Sequence, residues 1–89
     1  MNTSANWTVV LAGPARKALK RIAAPDRDRI HAALAEIRAD PFRGDIKYLR
    51  GRMNTLRRRV GDWRIFFRLV QEQKYVLVSA IERRTSTTY

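Results

Sequence analysis

Hydrophobic residues in the first half of the chain follow the spacing of helices. Apolar positions recur every three or four residues, which gives each segment one apolar side. These positions are Ala15, Ala18, Leu19 and Ile22 in one segment and Ile30, Ala33, Leu34 and Ile37 in the next. Pro14 and Pro25 suit the first turns of two helices, and the second helix ends before Pro41. We therefore predict a hairpin of two helices with a tight connection at 23–25.

Most of the remaining chain alternates apolar and polar residues with the period of two that β-strands show. We predict strands at Trp7–Leu11, 53–60, 63–71 and 75–82, with an irregular connection at 42–51 and a polar turn at 71–74. Gly61 and Asp62 mark a tight hairpin between the second and third strands. The pattern predicts one α+β domain over residues 1–89, with residues 1–6 frayed. Its small, twisted antiparallel sheet has the order β-α-α-β-β-β, and the helical hairpin packs on one face.

Alternation also decides which side of the sheet each residue faces. In the 63–71 strand one side carries Trp63, Ile65, Phe67 and Leu69, and the other side carries Arg64, Phe66 and Arg68. The first side is the more apolar of the two, so we expect it to face the hydrophobic core. Pairing it with Leu56 and Val60 of the preceding strand leaves Arg57, Arg59, Arg64 and Arg68 together on the uncovered side. The same alternation directs Arg58 toward the core, where we expect it to reach the sheet edge or cap a helix end.

The net charge of the chain indicates the kind of partner that it binds. The chain has 19 basic and 8 acidic residues, a net charge of +11. Residues 43–89 hold twelve basic and four acidic residues, whereas residues 1–42 hold seven and four. Such an excess implies a polyanionic partner, with nucleic acid the first candidate. A protein with an acidic segment would satisfy the charge equally well.

Composition excludes several classes of function. There is no cysteine, so disulfides and thiolate chemistry are excluded and a cytoplasmic location is the simplest interpretation. With one histidine and no cysteine, the chain has too few of the usual zinc ligands to build a zinc site. We expect no metal and no cofactor. No apolar run approaches 18 residues, and the start of the chain lacks the features of a signal peptide. We therefore expect no membrane partner.

Three short motifs, in this order, resemble the RelE/ParE superfamily of bacterial toxins. They are Leu49-Arg50-Gly51, the run from Arg57 to Ile65, and Glu82-Arg83-Arg84, and the resemblance covers nearly the whole chain from Trp7. The resemblance implies a RelE-type toxin of a toxin–antitoxin system. Such a toxin is a ribosome-dependent endoribonuclease, an mRNA interferase that cleaves messenger RNA in the A site without a metal. Its partners would be the ribosome, the message and a cognate antitoxin with a RelB-like acidic helical segment.

In RelE-like cleavage the ribose 2′-hydroxyl attacks the neighbouring phosphate. The resemblance places Arg57 and Arg59 at two basic positions of the catalytic set and Arg64 at the phosphate-binding arginine. It places Arg83 at the arginine proposed to assist the leaving group, and Tyr89 at a tyrosine that stacks on a base. A guanidinium suits these tasks because its paired donors match phosphate oxygens. Further RNA contacts are expected from four residues: Lys47, Arg50, Arg68 and Arg84.

The general base stays open. Arg59 stands where the best-studied RelE type has a lysine credited as the base, and arginine is a poor base. Glu82 could act as a carboxylate base or pair with Arg84, whereas the only histidine, His31, lies in the second helix. Two alternatives to the nuclease also remain. They are a ParE-like inhibitor of DNA gyrase and a nonenzymatic RNA- or ribosome-binding module, and the basic set with its terminal tyrosine favours the nuclease over the gyrase inhibitor.

Overall fold

Two helices and five strands make up the described part of the protein, which in this computed structural model is residues 6–49, 51 and 54–84. The helices are α1 (Gly13–Arg21) and α2 (Asp26–Ala39). The strands are β1 (Thr8–Leu11), β2 (Ile46–Tyr48), β3 (Thr55–Val60), β4 (Trp63–Val70) and β5 (Tyr75–Arg83). The predicted α+β class and helical hairpin are confirmed. Within the described ranges, neither helix has the length and hydropathy needed to cross a membrane.

The strands form one sheet in the order β1-β5-β4-β3-β2. β2 is an additional strand inside the connection that was predicted to be irregular. It spans three residues, too few for an alternating pattern to show in the sequence, and it gains its hydrogen bonds by pairing with β3. The sheet is also mixed, because β1 runs parallel to β5 while the other pairs are antiparallel. The helical hairpin carries the chain between β1 and the rest of the sheet, as a parallel pair requires.

The hydrophobic core lies between the two helices and one face of the sheet. The apolar sides of both helices are buried against Leu56 of β3, Ile65 and Phe67 of β4 and Val76 and Val78 of β5. Leu56 lies opposite Phe67, so the register joins the two apolar strand faces as predicted. The other face of the sheet carries no described helix, and we refer to it as the open face.

A β-bulge interrupts the alternation of β5. Phe66 pairs with Ala80, but the next residue, Phe67, pairs with Val78, so Ser79 is an extra residue in β5. The Ser79 hydroxyl donates a hydrogen bond of 3.2 Å to the Phe66 carbonyl, which anchors the bulge. Before the bulge Val76 and Val78 face the core, and after it Ile81 does. A one-residue insertion therefore exchanges the two faces for every residue that follows.

Arg58 points to the helix side of β3, as alternation predicted, and its charge is paired there. Its guanidinium donates to Glu36 Oε1 at 2.5 Å and to the Arg43 carbonyl at 3.3 Å. Gly44 lies directly against this guanidinium and has φ of +96°, a conformation that side chains rarely adopt. The contact ties β3 to α2 and to the chain segment that leads into β2.

Gly44→Ala should destabilise the fold by about 1–3 kcal/mol, because alanine is strained at this φ and its Cβ would lie 2.7 Å from Arg58 Cζ. Urea unfolding of the wild type and the variant measures this change in the free energy of unfolding. Gly13→Ala is the matched control, since a Cβ there meets nothing within 4 Å. Equal stability of the two variants would contradict this assignment.

The ion pair should also make stability depend on pH. The hydrogen bond and the charge of Arg58 lower the pKa of Glu36 below its ordinary value of 4.5. A carboxylate with a lowered pKa stabilises the fold at neutral pH, and the contribution disappears as the pH falls through the folded-state pKa. The difference in melting temperature between the wild type and Glu36→Gln should therefore shrink below about pH 4.5. A difference that stays constant down to pH 3 would contradict the pairing, and Glu72→Gln in the exposed β4–β5 turn provides the control.

Candidate anion-binding site

Four cations occupy neighbouring positions on the open face of β2, β3 and β4. Lys47 lies directly opposite Arg57, and Arg59 lies directly opposite Arg64. Residues directly opposite each other in an antiparallel pair share one face of the sheet. We call Lys47, Arg57, Arg59 and Arg64 the basic cluster. The structure therefore brings together three of the four arginines of β3 and β4 that the sequence placed on the uncovered side.

The basic cluster has little opposing charge. Like charges directly opposite each other destabilise a sheet, and the cluster contains two such pairs. Among the described residues, the ion pairs are Arg29 with Asp26 and Arg58 with Glu36, and both involve a residue of α2 rather than the open face. Two acids border the cluster: Glu82 lies opposite Arg64, and the Asp45 carbonyl accepts the backbone N–H of Arg59. Neither carboxylate forms an ion pair with the cluster.

Two Nε donors of the cluster lack a strong hydrogen-bond partner within the described part of the chain. Arg57 Nε is buried and has no hydrogen-bond partner among the described residues. Arg59 Nε makes a long bond of 3.4 Å to the Gly61 carbonyl. A buried donor without a partner is uncommon in folded proteins and calls for a ligand or a water. Guanidinium groups with free donors at adjacent positions are suited to the oxygens of a phosphate.

Arg83 does not lie with the basic cluster. It is opposite Trp63, on the side of the sheet that the helices cover. Its guanidinium stands over the Trp63 ring at 5.9 Å from the centroid, within the range of a cation–π contact. The Trp63 indole N–H in turn donates to Asp26 Oδ2 at 3.1 Å. This contact joins the end of β5 to the start of α2.

The remaining residues that the sequence singled out are dispersed. Arg68 is on the open face of β4 but lies opposite Thr55 and Leu77, two pairs beyond Arg57 and Phe66. Arg84 is exposed just after β5, and its backbone N–H donates to the Asp62 carbonyl. Arg50 and Tyr89 lie outside the described residues. His31 is exposed on α2, on the helix side of the sheet, and so is not part of the basic cluster.

A cavity of about 500 Å³ lies at the other end of β4. Its lining includes Tyr48, Asn54 and Arg68, but none of the four residues of the basic cluster. The cluster lies on the surface of paired strands, apart from this cavity. Such a surface suits the backbone of an extended polyanion better than an enclosed small molecule.

Two contacts near the site were missed by sequence reasoning. The pairing of Arg58 with Glu36 joins residues 22 positions apart, and nothing in the local pattern indicates it. The stacking of Arg83 on Trp63 follows from the bulge at Ser79, since uninterrupted alternation from Val76 and Val78 would place Arg83 on the open face. The run of small residues Ser79-Ala80 before Ile81 was the available indication that the period of two breaks there.

Comparison with known proteins identifies the family. The family model described as the ParE toxin of the type II toxin–antitoxin system parDE matches residues 9–87. Isolated RelE toxin of E. coli superposes with a TM-score of 0.80 at 17% identity, covering 91% of this chain and 87% of that one. No curated protein matches the sequence.

Two toxin–antitoxin complexes are similar as well. The archaeal RelE–RelB complex of Pyrococcus horikoshii OT3 matches with a TM-score of 0.79 at 18% identity, over 92% of this chain and 99% of that chain. The RelBE2 complex of Mycobacterium tuberculosis matches with a TM-score of 0.68 at 27% identity, over 89% of this chain and 99% of that chain. The fold is thus that of the RelE/ParE superfamily, a class of small toxins of toxin–antitoxin systems. Within it, the chain belongs to the ParE toxin family of type II systems.

Replacing one cation of the cluster should stabilise the fold. Arg57→Met keeps the apolar stem but removes both the repulsion of Lys47 and the unpartnered buried Nε donor, so we expect a gain of about 1 kcal/mol at low salt. Urea unfolding at low salt and at 1 M salt checks this, because screening should reduce the gain. Arg68→Met is the control on the same face. A gain no larger for Arg57→Met than for Arg68→Met would contradict the repulsion.

Proposed function

We propose that this toxin cleaves messenger RNA in the A site of the translating ribosome. The observation that carries the proposal is the basic cluster, with its two like-charge pairs on an open sheet face. Such pairs weaken the free fold, and an anion bound across them would remove that repulsion. Structural likeness to RelE toxins supports the proposal, and it would place the protein in the cytoplasm with its message, its ribosome and its antitoxin.

The proposed reaction is an internal transesterification at one phosphodiester. The 2′-oxygen attacks the adjacent phosphorus, the bond from phosphorus to the 5′-oxygen breaks, and the proton lost from the 2′-hydroxyl is balanced by one gained at the 5′-oxygen. The products are a 2′,3′-cyclic phosphate and a 5′-hydroxyl. Arg57, Arg59 and Arg64 would stabilise the negative charge that builds on the phosphate oxygens in the transition state. This is the role for which fixed guanidinium donors are best suited.

The chain offers fewer candidate groups for proton transfer than for binding the phosphate. Glu82 is the carboxylate directly opposite Arg64 and is exposed on the open face, so it is our candidate for the general base. Arginine at position 59 can orient a phosphate but is a poor proton acceptor. We therefore expect alignment of the message by the ribosome to supply a large share of the rate.

An antitoxin would control this surface. The structural relatives include complexes of RelE toxins with RelB antitoxins. For this chain we propose a cognate antitoxin with an acidic helical segment that covers the basic cluster. Its carboxylates would neutralise the two like-charge pairs and so stabilise the toxin while blocking its access to RNA.

A second candidate is inhibition of DNA gyrase. Two observations favour it: the family model carries the name of the ParE toxin, and Arg83 stacks on Trp63 instead of joining the basic cluster. In that case the cluster would serve only for pairing with an antitoxin or with an acidic surface of the target.

Cleavage mapping separates the two candidates. Primer extension on a translated message should show cuts in the A-site codon with the wild-type toxin, with or without a chelator. Arg64→Ala should lower the cutting rate by roughly 100-fold or more, because it removes a phosphate donor from the transition state. Arg16→Ala, exposed on α1, should cut normally.

The opposite pattern favours the rival function. Intact messages at every toxin dose, together with inhibition of supercoiling by purified gyrase, would overturn the nuclease proposal. If Arg64→Ala and Arg16→Ala cut messages at the same rate, the nuclease activity would stand, but the role of the basic cluster in cleavage would be contradicted.

A further inference from the structure

Arg83 is the last residue of β5 and Arg84 follows it directly, and the bulge at Ser79 decides which of the two reaches the open face. Without the extra residue, the alternation that buries Val76 and Val78 would continue inward at positions 80 and 82. Arg83 would then face outward. With the bulge, the inward positions become Ile81 and Arg83, and the outward positions become Glu82 and the residue after β5. Bulges beside functional sites commonly redirect a side chain in this way.

The register after the bulge is regular up to Arg83, the last residue of β5. Arg64 pairs with Glu82 and Trp63 with Arg83. The backbone N–H of Arg84 donates to the Asp62 carbonyl, so Arg84 continues the same ladder opposite Asp62. Alternation therefore places Arg84 on the face that carries Arg64 and Arg59, at the hairpin end of β3 and β4.

Arg83 is retained on the other side by its own contacts. The cation–π contact with Trp63 and the hydrogen bond from Trp63 to Asp26 form a chain from β5 through β4 to α2. A guanidinium stacked in this way stabilises the sheet end and the helix start. It is directed away from any anion on the open face.

We infer that Arg84, and not Arg83, is the cation that β5 contributes to the phosphate-binding site. Arg84 is exposed and forms no ion pair within the described part of the chain, although Asp62 and Glu82 are its acidic neighbours. Arg83 is a structural residue that fixes the end of β5 against Trp63. The inference rests on the proposed use of the open face to bind RNA phosphates, and it assigns to Arg84 the role that family resemblance assigns to Arg83.

The test compares Arg83→Ala with Arg84→Ala in the full chain, with Arg38→Ala on α2 as the control for losing one exposed charge. The binding probe is a short single-stranded RNA in which every 2′-hydroxyl is methylated, so that it binds but is not cleaved. Affinity is measured across a range of salt concentrations. For single strands, each lost phosphate contact lowers the slope of log K against log salt by about 0.7.

Arg84→Ala should lower that slope by about 0.7 and weaken binding at low salt roughly tenfold, with an unchanged melting temperature. Arg83→Ala should bind with the same slope as Arg38→Ala but melt several degrees lower, as Trp63→Leu should. The charge-preserving variant Arg84→Lys should recover most of the slope. The reverse pattern, with loss of slope in Arg83→Ala and none in Arg84→Ala, would overturn the inference.

Failure of the inference and failure of the proposed function give different results. If the wild type cuts translated messages but the slope depends on Arg83, the inference is wrong and the nuclease proposal stands. If the slope depends on Arg84 but no message is cut, the phosphate contact stands and the nuclease proposal is wrong. Equal slopes for all three alanine variants would show that β5 contributes no phosphate contact, which also overturns the inference.

Discussion

Repulsion between cationic side chains on paired strands is the interaction on which the open face of this toxin depends. Each of two cross-strand positions on the open face places one cation directly against another. A sheet tolerates this only because the opposite face is well packed, with Leu56, Ile65 and Phe67 fully buried beneath α1 and α2. The hydrophobic face therefore offsets the electrostatic cost of the open one. An anion that neutralises the open face gains the free energy that the fold otherwise loses.

Packing on the helix side also positions the open face. Arg58 alternates with Arg57 and Arg59 along β3, and its pairing with Glu36 and the Arg43 carbonyl ties that strand to α2. Trp63, which precedes Arg64, is tied to the first turn of the same helix through Asp26. Two of the three strands that carry the basic cluster, β3 and β4, are thus anchored to α2 on the helix side of the sheet.

Much of this arrangement could be predicted from the sequence because it depends on local periodicity. The helical spacing of Ile30 and Ile37 and the alternation around Ile65 define the core, the two helices and the face that each arginine of β3 and β4 occupies. The prediction failed where long-range pairing overrides the local pattern. Strand β2 is too short to show a period, and the parallel pairing of β1 depends on the whole crossover.

The end of β5 shows the same limit within the candidate site. A bulge inserts one residue into a strand without changing its composition, so alternation alone does not show that Arg83 lies opposite Trp63 and away from the basic cluster. The partnership of Arg58 with Glu36 was also beyond prediction. Alternation gave the direction of the side chain, but the partner lies on another element.

We propose that Arg57, Arg59 and Arg64 bind one RNA phosphate together, and nuclear magnetic resonance of the arginine Nε–H groups tests this proposal most directly. Titration with a short, 2′-O-methylated single-stranded RNA should shift the resonances of these three arginines with a single midpoint, while those of Arg58 and Arg16 stay in place. Shifts confined to the arginines of α1, or three arginines that respond with unrelated midpoints, would contradict the account.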